Sequence, residues 1–524
     1  MKHVLIIWIL LLSIVYSALS IVRHNHFQSG GFDLGIYDQA VWQYAHFQWP
    51  YNTIKDRFIL GDHLTLTLPL LAPLFWLWSD ARILLIFQAF WISFSSLAMY
   101  KIAIVRLRNA KLDPRVKPED DRKNEVVAMC LAVVYSLFYG IQYLVFFDFH
   151  PVIIGVGLLA WTAYFLESGK TRWLVSSVAL LLLTQENMGL ALAGLGFIYV
   201  FRLPRHPGPR AGIQSFLSLI PGQARNDKLQ RSDDRIRRAG AWFIIVGIAA
   251  SLAAARIVAA FSPVGFEYQP EIPLNPVVIL SRFFDHSEKL QVWWWSFASF
   301  SFLPLLSPGA VLAVASDLFQ YFATGERFVQ MWTPYKHHRA ILGVFLVLGT
   351  LDAIMFLMDK IKPSFQRAKL GFECWIALML VMVTFSLQYV WHLPLNKLVK
   401  AEYWKEEQWM IDNRTLFTLI PSGVAVATQQ NFVPHLSRRN QIYLAWPRVH
   451  DFKDKPCGQT SCWWLDFDSK AEYLLVDTRP DQWLTQILES NDHWLEAIRN
   501  MEKSGRITIA ESVGSAKLYR IVLQ

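Results

Sequence analysis

The sequence predicts an all-α polytopic membrane bundle of about eleven transmembrane helices, N-terminus inside and C-terminus outside, followed by a small extracytoplasmic α/β domain. Three observations carry that prediction. Runs of roughly eighteen or more mostly apolar residues recur through the first three quarters of the chain, the length a helix needs to cross hydrocarbon. Composition is apolar and aromatic to match, with 54% hydrophobic residues, 22 Trp and 36 Phe among 524. Lys and Arg are also shared unevenly between the two sets of connecting segments, which orients the bundle.

The first span, residues 4–22, has Lys2 inside and no small-residue cleavage site behind it, so it reads as an uncleaved helix and not a signal peptide. External loop 23–63 follows. Residues 64–78 are apolar but short and carry Pro69 and Pro73, which suits a segment lying at or dipping into the outer face. Spans at 83–105, 126–147, 152–165, 173–184 and 188–201 come next. The last three are short, so the polar turns Asp148-Phe149-His150-Pro151 and Gln185-Glu186-Asn187 are expected below the membrane surface. Span 241–261 carries Arg256, expected to pair with an acid such as Asp317. External loop 262–288 leads to a span at 291–306, and a Ser307-Pro308-Gly309 turn starts the return to about Phe322. External segment 324–338 and spans 339–358 and 372–391 complete a membrane domain of residues 1–395.

Charge tests that order. The inner segments hold 23 Lys and Arg, and the outer ones nine. Two inner stretches, 112–121 and 220–227, resemble translated repeat elements of bacterial genomes and read as neutral insertions, placed where loops tolerate them. Without their Arg115, Lys117 and Arg225 twenty inner cations still face nine, and the orientation stands. The net charge of +9 therefore reports topology and gives no reason to invoke nucleic acid.

Residues 396–524 are soluble in composition. A helix at about 400–413, strands at 423–427, 441–445 and 472–477, a helix at 481–502 and a hairpin at 506–521 are expected. No Gly-rich phosphate loop occurs. Four cysteines are too few for a disulfide framework. Cys457 and Cys462 flank a short loop where an oxidising compartment permits a disulfide, while Cys130 and Cys374 fall in spans as packing residues.

The candidate chemistry begins directly after the first span, in Phe32-Asp33-Leu34-Gly35-Ile36-Tyr37-Asp38-Gln39. An ionisable group beside hydrocarbon is costly unless solvated or paired, and so marks function by default. On a helix five residues differ by about 140°, so one acid can face a cavity while the other holds structure. Asp33 is the candidate catalyst and Asp38 its companion. Both would serve equally well as caps of a short surface helix. Arg327, Lys336, His337, His338 and Arg339 form an external basic cluster that suits a phosphate, or equally a set of cations anchored at the membrane surface. His63, Asp148, His150 and Glu186 are candidates to line the same cavity and bind substrate. They are also metal-competent residue types, but their separations carry no ligand spacing, so no metal ligand is assigned and a divalent cation stays open.

Together with Gly61-Asp62-His63, Ala72-Pro73-Leu74 and Tyr335-Lys336-His337-His338, these motifs resemble the bacterial membrane-protein family named domain of unknown function 2079, over most of residues 1–395. That family is similar, more distantly, to the C-type superfamily of membrane glycosyltransferases. The resemblance implies a polyprenyl-phosphate sugar as donor, a glycan, lipid or protein acceptor, and action on the outer face of a bacterial inner membrane. The chain departs from the pattern in having no Asp-x-Asp at Asp33. A non-catalytic transporter or flippase of lipid-linked intermediates is the rival class. It would call for polar residues at the midplane of two repeats, and no repeat is evident.

Overall fold

A computed structural model of the chain describes residues 1–110, 118–202, 224–360, 371–452, 457–480, 482 and 487–522. The insertion-like stretches 112–121 and 220–227 lie largely outside the described residues.

Helix α1 (Lys2–Asn25) delivers the chain to one end of the bundle. There it makes a π-helical turn, Gly31–Gly35, and then α2 (Ile36–Ala45), a small hairpin of β1 (Tyr51–Asn52) and β2 (Arg57–Phe58), and α3 (Ala72–Leu77). The bundle continues with α4 (Arg82–Ala110), α5 (Pro118–Ser136), α6 (Tyr139–Phe146), α7 (Val152–Glu167), α8 (Thr171–Leu182), α9 (Met188–Val200) and α10 (Ala224–Phe261). After α11 (Pro276–Arg282) come α12 (Ser287–Ala298), α13 (Pro308–Phe322), α14 (Ala340–Lys360) and α15 (Phe372–Val390).

Each of the eleven segments expected to span contains helix, but their lengths differ, and the one at 291–306 leaves the α-helix at Ala298 for a turn and a 310 stretch, Leu303–Leu306. Among the described residues five helices are long and apolar enough to cross a membrane, and α5 with α6 makes a sixth crossing only if a pair bent by 44° counts as one. Helices α7, α8 and α9 have 16, 12 and 13 residues. They stop short because polar turns at 147–151 and 184–187 interrupt the apolar run. The α9–α10 contact rests on glycine. A Cβ on Gly189 would lie 2.2 Å from the Gly247 carbonyl oxygen, and one on Gly196 2.5 Å from that of Gly240. Small residues let helix backbones approach where lipid supplies no hydrophobic drive.

The remaining elements build an α/β unit. They are α16 (Gln408–Leu419), β3 (Val426–Thr428), α17 (Val433–Leu436), β4 (Ile442–Leu444), β5 (Trp446–Asp451), β6 (Ser461–Asp466), β7 (Tyr473–Asp477), α18 (Asn491–Lys503), β8 (Ile507–Val513) and β9 (Ala516–Ile521). Five strands form one sheet in the order β4-β3-β7-β9-β8, with β3 parallel to both neighbours and the last two pairings antiparallel. Helix α18 buries Trp494, Ala497, Ile498 and Met501 against this unit. The β5–β6 hairpin was not expected, and it carries the Cys457–Cys462 disulfide at its turn. Two helices are shifted from expectation: 310 turns occupy 394–404 ahead of α16, and α18 starts only where Ser490 caps it by accepting from the His493 N–H.

This unit sits directly on the segment after α1. Phe27, at a positive φ of 58°, inserts among Trp409, Phe417, Phe432 and His435. A non-glycine residue in that conformation is strained and persists only where its surroundings enforce it. Here the aromatic socket does so.

Candidate functional site

The site grows from the turn that follows Phe27. Gly31 N–H donates to the Gln430 carbonyl, and Gly30 N–H donates to Asp148 Oδ2 at 2.7 Å. The Asp148 carboxylate is held in turn by Arg23 at 2.5 Å. These bonds fix the backbone around Asp33 from both sides. The Asp33 carboxyl, half-buried, makes no hydrogen bond or ion pair among the described residues. Burial and the neighbouring Asp148 carboxylate push it up to about 7, against the pull of Lys336, Lys55 and Arg23. Lys336 is half-buried too, and desolvation lowers its pKa although Asp33 acts to raise it. The two charges feel each other yet lie too far apart for an ion pair. An acid near neutrality facing an unpaired cation is the arrangement expected of reacting groups.

Behind them four imidazoles pack in a row. His63 and His150 have ring centroids 5.6 Å apart, His150 and His337 4.4 Å, and His337 and His338 4.0 Å. His63 Nδ1 meets Glu186 Oε1 at 2.7 Å and its ring stacks on Tyr268. Burial lowers the His63 pKa, but the carboxylates of Glu186 and Asp62 outweigh it and the net direction is up. His150 Nε2 bonds the Tyr37 hydroxyl at 3.2 Å. Both ring nitrogens of His337, Nδ1 of His338 and Nδ1 of His150 have no partner among the described residues. Buried polar atoms are nearly always satisfied, so such a run of exceptions calls for an explanation.

The predicted residues therefore divide. Asp33, Asp148, His63, His150, Glu186, Lys336, His337 and His338 converge on this end of the bundle. Asp38 belongs elsewhere, because it is fully buried and accepts from Ser437 Oγ at 2.5 Å with Arg438 at 3.4 Å, which ties the α/β unit to α2. Arg339 is also fully buried; it donates to the Met331 and Thr333 carbonyls and lies over the Tyr321 and Phe322 rings. Arg327 is half-exposed and bonds the Glu267 carbonyl and Glu271. Arg256 is exposed, and the cation beside Asp317 is Arg339. The basic cluster read from the sequence thus has one member, Lys336, facing Asp33.

Sequence reasoning passed over several neighbours. Lys55 bonds Asp62 at 2.5 Å and the Tyr268 hydroxyl at 3.2 Å, beside His63. A lysine six residues before Gly61-Asp62-His63 was a visible hint. Tyr268 and Gln430 left no such signal. Among the described residues no group of three or more His, Cys, Asp or Glu is arranged to hold a metal ion.

Comparison with known proteins agrees with this architecture. A family model described as predicted membrane protein DUF2079 matches residues 23–500, and the chain belongs to that family. Among solved structures the fold is similar to that of ArnT from Cupriavidus metallidurans in the apo state, a protein with the C-type glycosyltransferase fold. The identity is 11% and the TM-score 0.50, over 100% of this chain and 98% of that one. No match is found among curated proteins.

Proposed function

We propose that this DUF2079 member is a membrane glycosyltransferase. It would move a sugar from a polyprenyl-phosphate donor to a hydroxyl of an envelope glycan, lipid or protein, on the outer face of the bacterial inner membrane. The observation that carries the reading is the Asp33–Lys336 pair: a carboxyl at about 7 and a half-buried cation that feel each other's charge, neither with a hydrogen bond or ion pair from its side chain among the described residues. In the step, the acceptor oxygen bonds the anomeric carbon and its proton passes to Asp33. The bond between that carbon and the phosphate oxygen breaks, and its electron pair leaves on polyprenyl phosphate. Lys336 neutralises the departing phosphate, and the unpartnered imidazole nitrogens of His337 and His338 offer it hydrogen bonds. Likeness of fold to ArnT supports the class of protein, and the placement of Asp33 supports the role.

Mass spectrometry of lipid-linked sugars and envelope glycans in a deletion strain tests the reading. A lipid-linked sugar should accumulate, a glycan modification should vanish, and the wild-type gene should reverse both where Asp33→Asn does not. Unchanged lipids and glycans on deletion would contradict it.

A further inference from the structure

The α/β unit reaches into the site through one side chain. Strand β3 is the central parallel strand of its sheet, flanked by β4 and β7, and the loop leaving its carboxyl end is Gln429–Phe432. In open α/β sheets ligands settle beyond the carboxyl ends of parallel strands. Gln429 turns back into its own unit, bonding Asn431, Gln482 and the Asp477 N–H. Gln430 turns the other way, onto the Asp33 turn. A Cβ built on Gly30 would lie 3.4 Å from Gln430 Nε2, 3.6 Å from Asp148 Oδ2 and 3.9 Å from Asp33 Oδ2, so these three groups surround one point. The Gln430 side chain is 3% exposed, and its Oε1 has no hydrogen-bond partner among the described residues. Leaving a buried amide oxygen unmet is costly; this one lies 2.8 Å from a Cβ built on Gly31, so the end of the amide turned to the Gly30 point is Nε2, an N–H donor.

We propose that Gln430 positions the acceptor hydroxyl against Asp33, so that the α/β unit supplies part of the site; this rests on Asp33 being the base. The amide N–H at that point suits the acceptor oxygen, which it can hold while the hydroxyl proton faces Asp33. The glycine at position 30 has the same meaning. Its φ of −102° is open to any residue, and an added methyl would meet only ordinary contacts, but it would occupy the point where the three groups converge.

Two readouts on the full-length protein in detergent test this. In the first, carbodiimide labelling of Asp33 is followed by mass spectrometry across pH. Gln430→Glu adds a carboxylate beside Asp33 and should raise its midpoint by roughly half a unit or more from the wild-type value; an unmoved midpoint overturns the proposal. In the second, transfer is measured from a short-chain polyprenyl-phosphate hexose to envelope lipid extracted from the deletion strain. Gln430→Ala and Gly30→Ala should each slow transfer about tenfold, the scale of one lost hydrogen bond. Gln430→Asn should recover part of the loss, with thermal unfolding unchanged in all three. Wild-type transfer by Gln430→Ala, with Asp33→Asn inactive, overturns the role of Gln430 alone. Wild-type transfer by Asp33→Asn overturns the base assignment beneath it.

Discussion

The two ends of the bundle bury similar side chains and treat them in opposite ways. At the end away from Asp33, Arg106 and Arg202 face Glu167 and Asp352. Arg106 bonds Glu167 and Asp352 at 2.7 Å each, and Arg202 approaches the same two acids at 3.3 and 3.5 Å. Helix α4 alone separates this quartet from the Asp33 end by about 36 Å, taking 24 residues from Arg82 to Arg106 at the helical rise. Two cations and two anions close on one another, and the network ties α4, α7 and α14 together. At the Asp33 end some acids are paired in the same manner, Asp148 with Arg23 and Asp62 with Lys55. Yet among the described residues Asp33 and Lys336 form no ion pair, and several imidazole nitrogens have no hydrogen-bond partner. The quartet is paired in charge, although one nitrogen each of Arg106 and Arg202 makes no hydrogen bond among the described residues, so the fold has no general difficulty with buried charge. On the function proposed above, the unmet groups at the other end are where a substrate would bring the missing partners.

Removing one member from each kind of cluster should separate structure from chemistry. The largest effect is expected from Arg106→Met. It leaves Glu167 and Asp352 with Arg202 as their remaining cation among the described residues, and breaking a buried pair costs about 3–5 kcal/mol. Thermal unfolding in detergent should show that loss, and a wild-type midpoint would mean that the quartet is not a stabilising device.

Lys336→Met should do the reverse. With no ion pair to lose, it should unfold at the wild-type temperature, while sugar transfer falls about 10²-fold, as when one donor to a developing anion is removed. A loss of stability with normal kinetics would make Lys336 an anchor at the membrane surface.

Asp38→Ala falls between the two. It strips Ser437 and Arg438 of their shared acceptor, at about 1–3 kcal/mol. Limited proteolysis between α15 and α16 should quicken as the α/β unit loosens, with activity falling only as far as docking fails. The smallest effect belongs to Arg327→Ala, whose exposed pairing with Glu271 is worth about 0–1 kcal/mol. Donor kinetics and stability should both stay at wild-type values; a raised donor KM would return this residue to the site.

Much of this was visible in the sequence, for a plain reason. Long apolar runs and their flanking cations are local properties, so α1, α4, α10, α14 and α15 could be placed from residue order alone. The short helices α7 to α9 could also be found, because polar turns such as Gln185-Glu186-Asn187 break the run. The β5–β6 hairpin escaped because Pro447 and Arg448 disguise a strand. At the site, residue types were legible and partnerships were not. Arg339 and Lys336 look alike in sequence, three positions apart. Only packing turns one inward to the Met331 and Thr333 carbonyls and leaves the other facing Asp33. Gln430 had no signal at all, since a polar residue in a soluble loop is ordinary until the loop is seen docked on Gly30 and Gly31.

The central claim is that Asp33 is left unpaired to take a proton, and the pH dependence of sugar transfer tests it most directly. A carboxyl held near 7 is a base only once ionised, so the wild-type rate should climb through a limb centred at about 7 and level off above it. The same raised value puts a buried charge on the folded protein, so wild-type stability should decline as pH rises from about 4 to about 7. Asp33→Asn carries no such charge and should lack that decline. Its transfer rate should be about 10²–10⁴-fold lower, with the limb at 7 gone. If Asp33→Asn instead keeps both the rate and the limb, Asp33 is not the base, and the contrast between the two ends of the bundle loses its functional meaning.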